Sequence, residues 1–235
     1  MNAWPALQTM VADGWVIRFA GGITRRSNSV IPLSFTGGDP EKNIDFCESL
    51  YGNKKLKPAF KLTPACCPGN LDEILEGRNY IREAETSVQI LDISGKSFNP
   101  ERDVIFDNSV NEQWLLDFIK LSGLNLKSYD TYFRIIENIV LEKCLVSLLV
   151  KGKTAAVGFG VRQEGYIGIF DVIINKRFRG KGFGRVIVES LMRWGQSVGA
   201  GTAYLQVMDD NLPALNLYEK LGFKSGYKYW YRIKK

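Results

Sequence analysis

Residues 170–195 read FDVIINKRFRGKGFGRVIVESLMRWG: an apolar run, a basic glycine-rich loop and an amphipathic segment in immediate succession. The run ending at Ile174 has the β-branched character of a strand. Beyond the loop, Ile187, Leu191, Trp194 and Val198 recur at i, i+4, i+7 and i+11, the period of a helix with one buried face. Arg179-Gly180-Lys181-Gly182-Phe183-Gly184 lies between them and opens that helix. A helix N-terminus carries unpaired N–H groups and a partial positive charge, so it holds anions. Gly180, Gly182 and Gly184 let the backbone approach oxygen atoms with no Cβ in the way. Arg177, Arg179, Lys181 and Arg185 add the positive charge that a pyrophosphate attracts. Alone, a pattern of Arg or Gln, two residues, Gly, one residue, Gly arises by chance in about one chain in ten at average composition. The strand ahead of it and the helix behind it give it weight.

Downstream, Gly199 and Gly201 end the helix, and Tyr204 to Val207 reads as a strand parallel to Tyr166 to Ile174, reached by a right-handed crossover. A second helix carries Ala214, Leu217, Tyr218 and Leu221 and closes at Gly222, and the aromatic run Tyr227 to Tyr231 makes a last strand. Upstream, Leu145 to Val150, Thr154 to Val161 and Tyr166 to Ile174 form hairpins turned at Lys151-Gly152-Lys153 and Gln163-Glu164-Gly165. Trp114, Leu115, Phe118 and Ile119, then Phe133, Ile136 and Val140, mark two amphipathic helices joined through Ser122 to Ser128. In the N-terminal half, strands are expected at Trp15 to Phe19, Thr24 to Phe35 and Leu56 to Leu62. Helices are expected at Pro40 to Tyr51 and Asn70 to Asn79, and extended chain at Ser87 to Ile93. Leu71, Ile74, Leu75 and Tyr80 align with Ala214, Leu217, Tyr218 and Phe223, a hint of degenerate internal duplication. The natural boundary is the stretch Gly95 to Pro100. It separates an accessory α+β domain at 1–96, smaller and open to a degenerate version of the second fold, from an α/β domain at 97–235.

With 45% hydrophobic and 24% charged residues over 235 positions, the chain has the composition of a folded soluble protein. Its apolar runs are far shorter than the roughly 20 residues needed to span a bilayer, and the N-terminus lacks the pattern of a secretory signal. A cytoplasmic location and no membrane partner are expected. None of Cys47, Cys66, Cys67 and Cys144 has metal-ligand spacing, so no metal is expected. With no histidine, histidine-dependent triads are excluded and a general base must be a carboxylate, lysine, tyrosine, terminal amine or water. The net charge of +6 suits a phosphate-bearing ligand, an acidic substrate or nucleic acid, but no nucleic-acid recognition motif is present.

From about Trp114 to Arg232 the chain resembles the GNAT superfamily of acyl-coenzyme A N-acyltransferases. Residues 170–195 are similar to its fourth strand, pyrophosphate loop and third helix, and AYLQVMDDNLPALNLYEKLGFK, residues 203–224, to its fifth strand and fourth helix. Lys176 departs from the proline of many members and leaves the loop intact. RFAGGITRRSNSVIPL, residues 18–33, resembles a segment ahead of the domain in some two-part members.

The resemblance implies a mixed sheet whose fourth and fifth strands splay apart. The pantetheine arm of acetyl-coenzyme A would insert between them and bond to backbone near Val172, Ile173 and Ile174. Residues 179–185 would hold the pyrophosphate. Tyr218, in LYEKLGF, matches the tyrosine that faces the sulfur and would protonate the departing thiolate. A phenol can do so only within hydrogen-bond reach; packing in the stripe of Ala214, Leu217 and Leu221 is the alternative. Asp171 is the best carboxylate for a general base, with substrate-amine anchoring or a salt bridge as other uses; Glu137 and Glu164 are further choices. Asn211 either contacts the coenzyme or caps its helix. The implied reaction is direct attack of an amine, on a small molecule or peptide, within a ternary complex. The competing reading is a catalytically silent coenzyme A-binding regulatory module. Arg25, Arg26 and Asn28 either line an acceptor site or face solvent. The N-terminal half has no second phosphate loop, which leaves it to cover the acceptor pocket or mediate dimerisation.

Overall fold

The computed structural model describes residues 1–235 except 101 and 103. The elements in chain order are β1 (Gln8–Ala12), β2 (Trp15–Phe19), β3 (Val30–Pro32), α1 (Pro40–Asn53), β4 (Ala59–Leu62), α2 (Leu71–Gly77) and β5 (Tyr80–Asp92). They continue with β6 (Ile105–Asp107), α3 (Glu112–Ser122), α4 (Tyr129–Glu137), β7 (Lys143–Val150), β8 (Lys153–Gln163), β9 (Tyr166–Ile174), α5 (Phe183–Ser197), β10 (Thr202–Met208), α6 (Leu212–Leu221) and β11 (Lys224–Lys234). Local chemistry sets the helix ends. Asp39 caps α1 ahead of Pro40, Asn111 accepts from Trp114 N at 2.7 Å to start α3, and Gly123 and Gly222 stop α3 and α6 in left-handed backbone.

The chain divides into two compact units that interleave in sequence. The first comprises Met1–Pro5, Val88–Val207 and Asn211–Gly226, and the second Ala6–Ser87, Met208–Asp210 and Tyr227–Lys235. A single cut near Gly95 is therefore not how contacts partition the chain, because strands β5 and β11 each begin in one unit and finish in the other.

In the first unit the strand order is β5-β10-β9-β8-β7-β6. β6 to β9 pair antiparallel and β10 joins β9 in parallel, so the sheet is mixed. On one face α5 presses Ile187, Leu191 and Met192 into a core with Val146, Ile167, Ile169, Leu205 and Phe223. Close approach needs small residues on the strands: a Cβ on Gly158 would lie 2.8 Å from Ile187 Cγ2. The other face is aromatic, with Phe159 between Trp4, Trp114 and Phe170 and the Trp114 indole donating to Val146 O at 3.0 Å.

In the second unit β1, β2 and β3 run antiparallel, β4 lies parallel to β3, and β11 closes antiparallel on β4. Its core joins Trp15, Ile17, Val30, Phe60 and Leu62 of the sheet to Tyr51 of α1 and Leu71 and Leu75 of α2. The buried Arg232 is held on that face by Asp72 at 2.8 Å, with Tyr80 O at 3.1 Å. Removing Asp72 would leave the buried guanidinium with Glu76, at 3.3 Å, as its remaining carboxylate partner among the described residues.

The expected strand Thr24 to Phe35 is shorter. Residues 25–27 form a 3-10 turn and only Val30–Pro32 is extended. Asn28 causes this: its Oδ1 accepts from Ala20 N at 2.7 Å and Gly22 N at 2.8 Å, and its Nδ2 donates to Thr24 O at 2.7 Å. Local side-chain bonding of this kind competes with a strand ladder. The hairpin β1–β2 was also missed. Its Asp13-Gly14 turn, both with positive φ, is the standard signal for a two-residue hairpin.

Gly158→Val should lower the urea midpoint at unchanged m-value, by about 1–3 kcal/mol of stability, because the added atoms meet Ile187 in a filled core. An unchanged midpoint would show that α5 rides loosely on β8.

Candidate active site

The site grows from an irregularity in β9. Val157 pairs with Ile173 and Phe159 with Phe170, so Asp171 and Val172 together face the single residue Gly158. Asp171 has φ of 47°, the left-handed conformation that one kind of bulge uses and a side chain resists. The bulge changes which residues face α5. Ile167 and Ile169 pack into the α5 core, and strict alternation would send Asp171 after them; instead Val172 and Ile174 pack there. An acid is kept out of the apolar core and two aliphatics take its place.

The parallel pairing of β9 with β10 runs from Tyr166↔Thr202 to Ile169↔Leu205 and stops one residue before Phe170. Both strands continue, β9 to Ile174 and β10 through Val207, with no shared rung beyond that point among the described residues. The two strands therefore part, as the resemblance implies, and the edge of Phe170–Ile174 is turned toward the opening. Val172, Ile173 and Ile174 are half-buried there.

Tyr218 on α6 is 8% exposed and meets the Phe223 ring edge-on at 5.8 Å. Burial, and then the nearby Asp171 carboxylate, push its phenol up to about 12. The fold has thus brought Asp171 and Tyr218, far apart in sequence, within electrostatic reach. At neutral pH the hydroxyl keeps its proton and can donate a hydrogen bond, while full transfer to a thiolate of pKa about 8.5 runs uphill.

Beyond Ile174, Asn175 shapes the turn: its Oδ1 accepts from Arg177 N at 3.1 Å and its Nδ2 donates to Thr154 O at 3.2 Å. Arg179, Gly180, Lys181 and Gly182 are exposed, and Gly180 and Gly182 have φ of 73° and 77°. Gly182 takes the N-cap position of α5, so the first amides of a 15-residue helix open toward the loop. Gly184 sits where a Cβ would come 2.9 Å from Leu217 Cδ2, which lets α5 approach α6. A groove of about 1010 Å³ flanks the loop, lined by Lys120, Lys153, Arg177 and Arg179, with Asp117 bonded to Thr154 at 2.6 Å.

Some expectations need adjusting. The Phe183 side chain is buried against Phe178, so only its backbone faces the loop. Arg185 pairs with Glu189 at 2.8 Å along α5. Asn211 is exposed and its Oδ1 accepts from Ala214 N at 3.3 Å, the capping geometry. Glu137 is exposed at the end of α4, and Glu164 occupies the β8–β9 turn, at the end of β9 away from the bulge. Asn28 neither lines a site nor faces solvent, being spent on backbone groups, and Arg25 pairs with Glu83 at 2.7 Å. Burial pushes the Cys47 and Cys144 thiols up to about 12, which makes them poor nucleophiles. The groove and the bulge were not foreseen; an acid at the alternation phase of Ile167 and Ile169 was the signal for the bulge.

Residues 1–232 match the family described as "Probable histone acetyltransferase Rv0428c C-terminal". The chain is 29% identical over 239 residues to "Uncharacterized N-acetyltransferase YobR" of Bacillus subtilis (strain 168), covering 99% of this chain and 95% of that protein. A GCN5-related N-acetyltransferase from Kribbella flavida shares its fold with a TM-score of 0.70 at 14% identity, over 97% of this chain and 90% of that one. A tandem GNAT protein from the clavulanic acid biosynthesis pathway does so with a TM-score of 0.65 at 12% identity, over 82% and 68%. With a mixed sheet split between β9 and β10, a glycine loop opening α5 and a family match over nearly its whole length, the chain belongs to the Rv0428c C-terminal family and is a GNAT-superfamily acyltransferase.

Proposed function

We propose that the protein transfers an acetyl group from acetyl-coenzyme A to a primary amine, of a small molecule or a peptide, by direct attack in a ternary complex. The observation that carries this reading is that Tyr218 lies within the field of Asp171, the bulged residue just past the point where β9 and β10 part. In this reading the backbone of Val172–Ile174 bonds the pantetheine arm and polarises the thioester carbonyl. Residues 179–185 hold the pyrophosphate through helix amides and cations, and the basic groove beside them attracts the nucleotide end. Asp171 takes a proton from the acceptor nitrogen, directly or through water, so that a neutral amine attacks the thioester carbon, and the Tyr218 hydroxyl donates a hydrogen bond to the sulfur as its bond to that carbon breaks. Asn211 keeps its helix cap and adds a contact to the coenzyme.

The alternation of Ala6–Ser87 strands and helices, together with the tandem architecture of one structural neighbour, supports the N-terminal half as a degenerate GNAT-like accessory domain. No helix among the described residues is long and apolar enough to cross a membrane; we place the enzyme in the cytoplasm. The second reading, a coenzyme A-binding module without catalysis, predicts tight coenzyme binding and no thiol release with any amine.

Three measurements test the roles. Tyr218→Phe should lower kcat by about 10–100-fold, below the full range of proton-transfer catalysis because the phenol donates rather than ionises. Its coenzyme dissociation constant should stay within about threefold, a change worth less than 1 kcal/mol; unchanged turnover would remove Tyr218 from the chemistry. Arg179→Gln should weaken coenzyme binding about tenfold, or about 1.4 kcal/mol, with the deficit shrinking at high salt. Equal affinity in both proteins would move the phosphates off the loop. Asp171→Asn should lower kcat by about 100-fold or more; turnover at the parent's rate assigns the proton to another group.

A further inference from the structure

The groove beside the phosphate loop is more cationic than a pyrophosphate requires. Among the described residues its lining holds five cations, Lys120, Lys153, Lys176, Arg177 and Arg179, against one carboxylate, Asp117. The whole chain has 31 basic and 25 acidic residues, so composition does not produce that imbalance. At about 1010 Å³ the groove matches the upper end of small-molecule sites, roughly 300–1,000 Å³, and has room for a nucleoside as well as phosphate.

Three elements deliver the charge, and a chain of hydrogen bonds ties them together. Pairing of Ala156 with Ile174 sets the β7–β8 turn beside the loop that follows β9. Thr154, next to Lys153, donates to Asp117 Oδ2 at 2.6 Å, which fastens β8 to α3 about one turn ahead of Lys120. Thr154 O accepts from Asn175 Nδ2 at 3.2 Å, and Asn175 N donates to Ala155 O at 2.9 Å, which fixes the start of the loop against β8. The carboxylate and the amide of the wall are thereby spent within the protein. The side chains of Lys120, Lys153, Arg177 and Arg179 are exposed and make no ion pair or hydrogen bond with the described residues. In the proposed reaction the loop amides and Arg179 hold the pyrophosphate, which leaves Lys120 and Lys153, on elements outside the loop, with no anion to meet. A phosphate monoester carries about −1.5 to −2 charge at pH 7, and a lysine ammonium suits it as a point charge.

Resting on the proposed use of acetyl-coenzyme A, we propose that Lys120 and Lys153 bind the 3′-phosphate on the ribose of the coenzyme. Phe178, half-buried in the same lining, offers its ring to the adenine. The two lysines make the enzyme select coenzyme A thioesters over 3′-dephospho-coenzyme A and over pantetheine thioesters that carry no nucleotide.

The test is calorimetric titration of the full chain, at constant ionic strength, with coenzyme A, 3′-dephospho-coenzyme A and adenosine 3′,5′-bisphosphate. The parent should bind coenzyme A about tenfold or more tightly than the dephospho form. In the double variant Lys120→Gln with Lys153→Gln that ratio should fall to within about threefold, through loss of affinity for coenzyme A alone. Both side chains are exposed, so their exchange leaves the fold in place. Arg179→Gln should weaken both coenzymes by a similar factor and keep the ratio. Equal affinity of the parent for the two coenzymes, or a ratio that survives the double substitution, overturns the proposal and leaves coenzyme binding at the loop intact. If neither coenzyme binds, the acetyl-coenzyme A reading fails, and the nucleotide decides the groove separately: bisphosphate binding that the double variant loses supports the phosphate site, and no bisphosphate binding overturns it.

Discussion

A strand turns its side chains to alternate faces, so one left-handed residue reverses the assignment of every residue after it. At Asp171 this reversal decides what the candidate active site is made of. It sends Val172 and Ile174 into the α5 core in place of an acid, and opposes two residues of β9 to Gly158 alone. The position coincides with the end of pairing to β10 at Ile169↔Leu205. A left-handed aspartate costs about 1–3 kcal/mol, strain that surrounding packing must hold in place. Here the α5 core on one side and the stacked Phe159 and Phe170 on the other fix the strand before and after the bulge.

The opened strand is useful only because two other elements meet it. The start of α5, with Gly182 left-handed at its cap, aims helix amides at the loop, and α6 places Tyr218 within the field of Asp171. Burying a phenol beside a carboxylate disfavours ionisation twice, so the hydroxyl is kept as a donor throughout the working pH range. A group in that state suits the stabilisation of a developing negative charge more than the outright delivery of a proton. Cation and helix dipole at one end of the opening and a neutral donor at the other match a ligand that is anionic at its nucleotide end and becomes anionic at its sulfur only during reaction.

Residues 170–224 were legible because each signal there is local. The glycines, the helical stripe through Leu191 and the stops at Gly199 and Gly222 each rest on a few neighbouring residues. The boundaries in the N-terminal half were less legible because Asn28 bonds to backbone up to eight residues away, and its residue type alone does not name those partners. The interleaving of the two units escaped for a similar reason. β5 and β11 read as ordinary strands, and nothing in their composition tells which neighbours each end will take. The pairing of Lys61 with Tyr231 was invisible because the two become neighbours only through strand register.

In the proposed reaction the edge of β9 left open by the bulge receives the acyl-coenzyme. Residue-resolved amide hydrogen exchange with and without saturating acetyl-coenzyme A tests it most directly. Exchange should slow at Asp171–Ile174 amides facing β10 and at residues 179–185, with Ile167 and Ile169, already paired on both sides, unchanged. Saturation of the protein with no added protection in Asp171–Ile174 would contradict it.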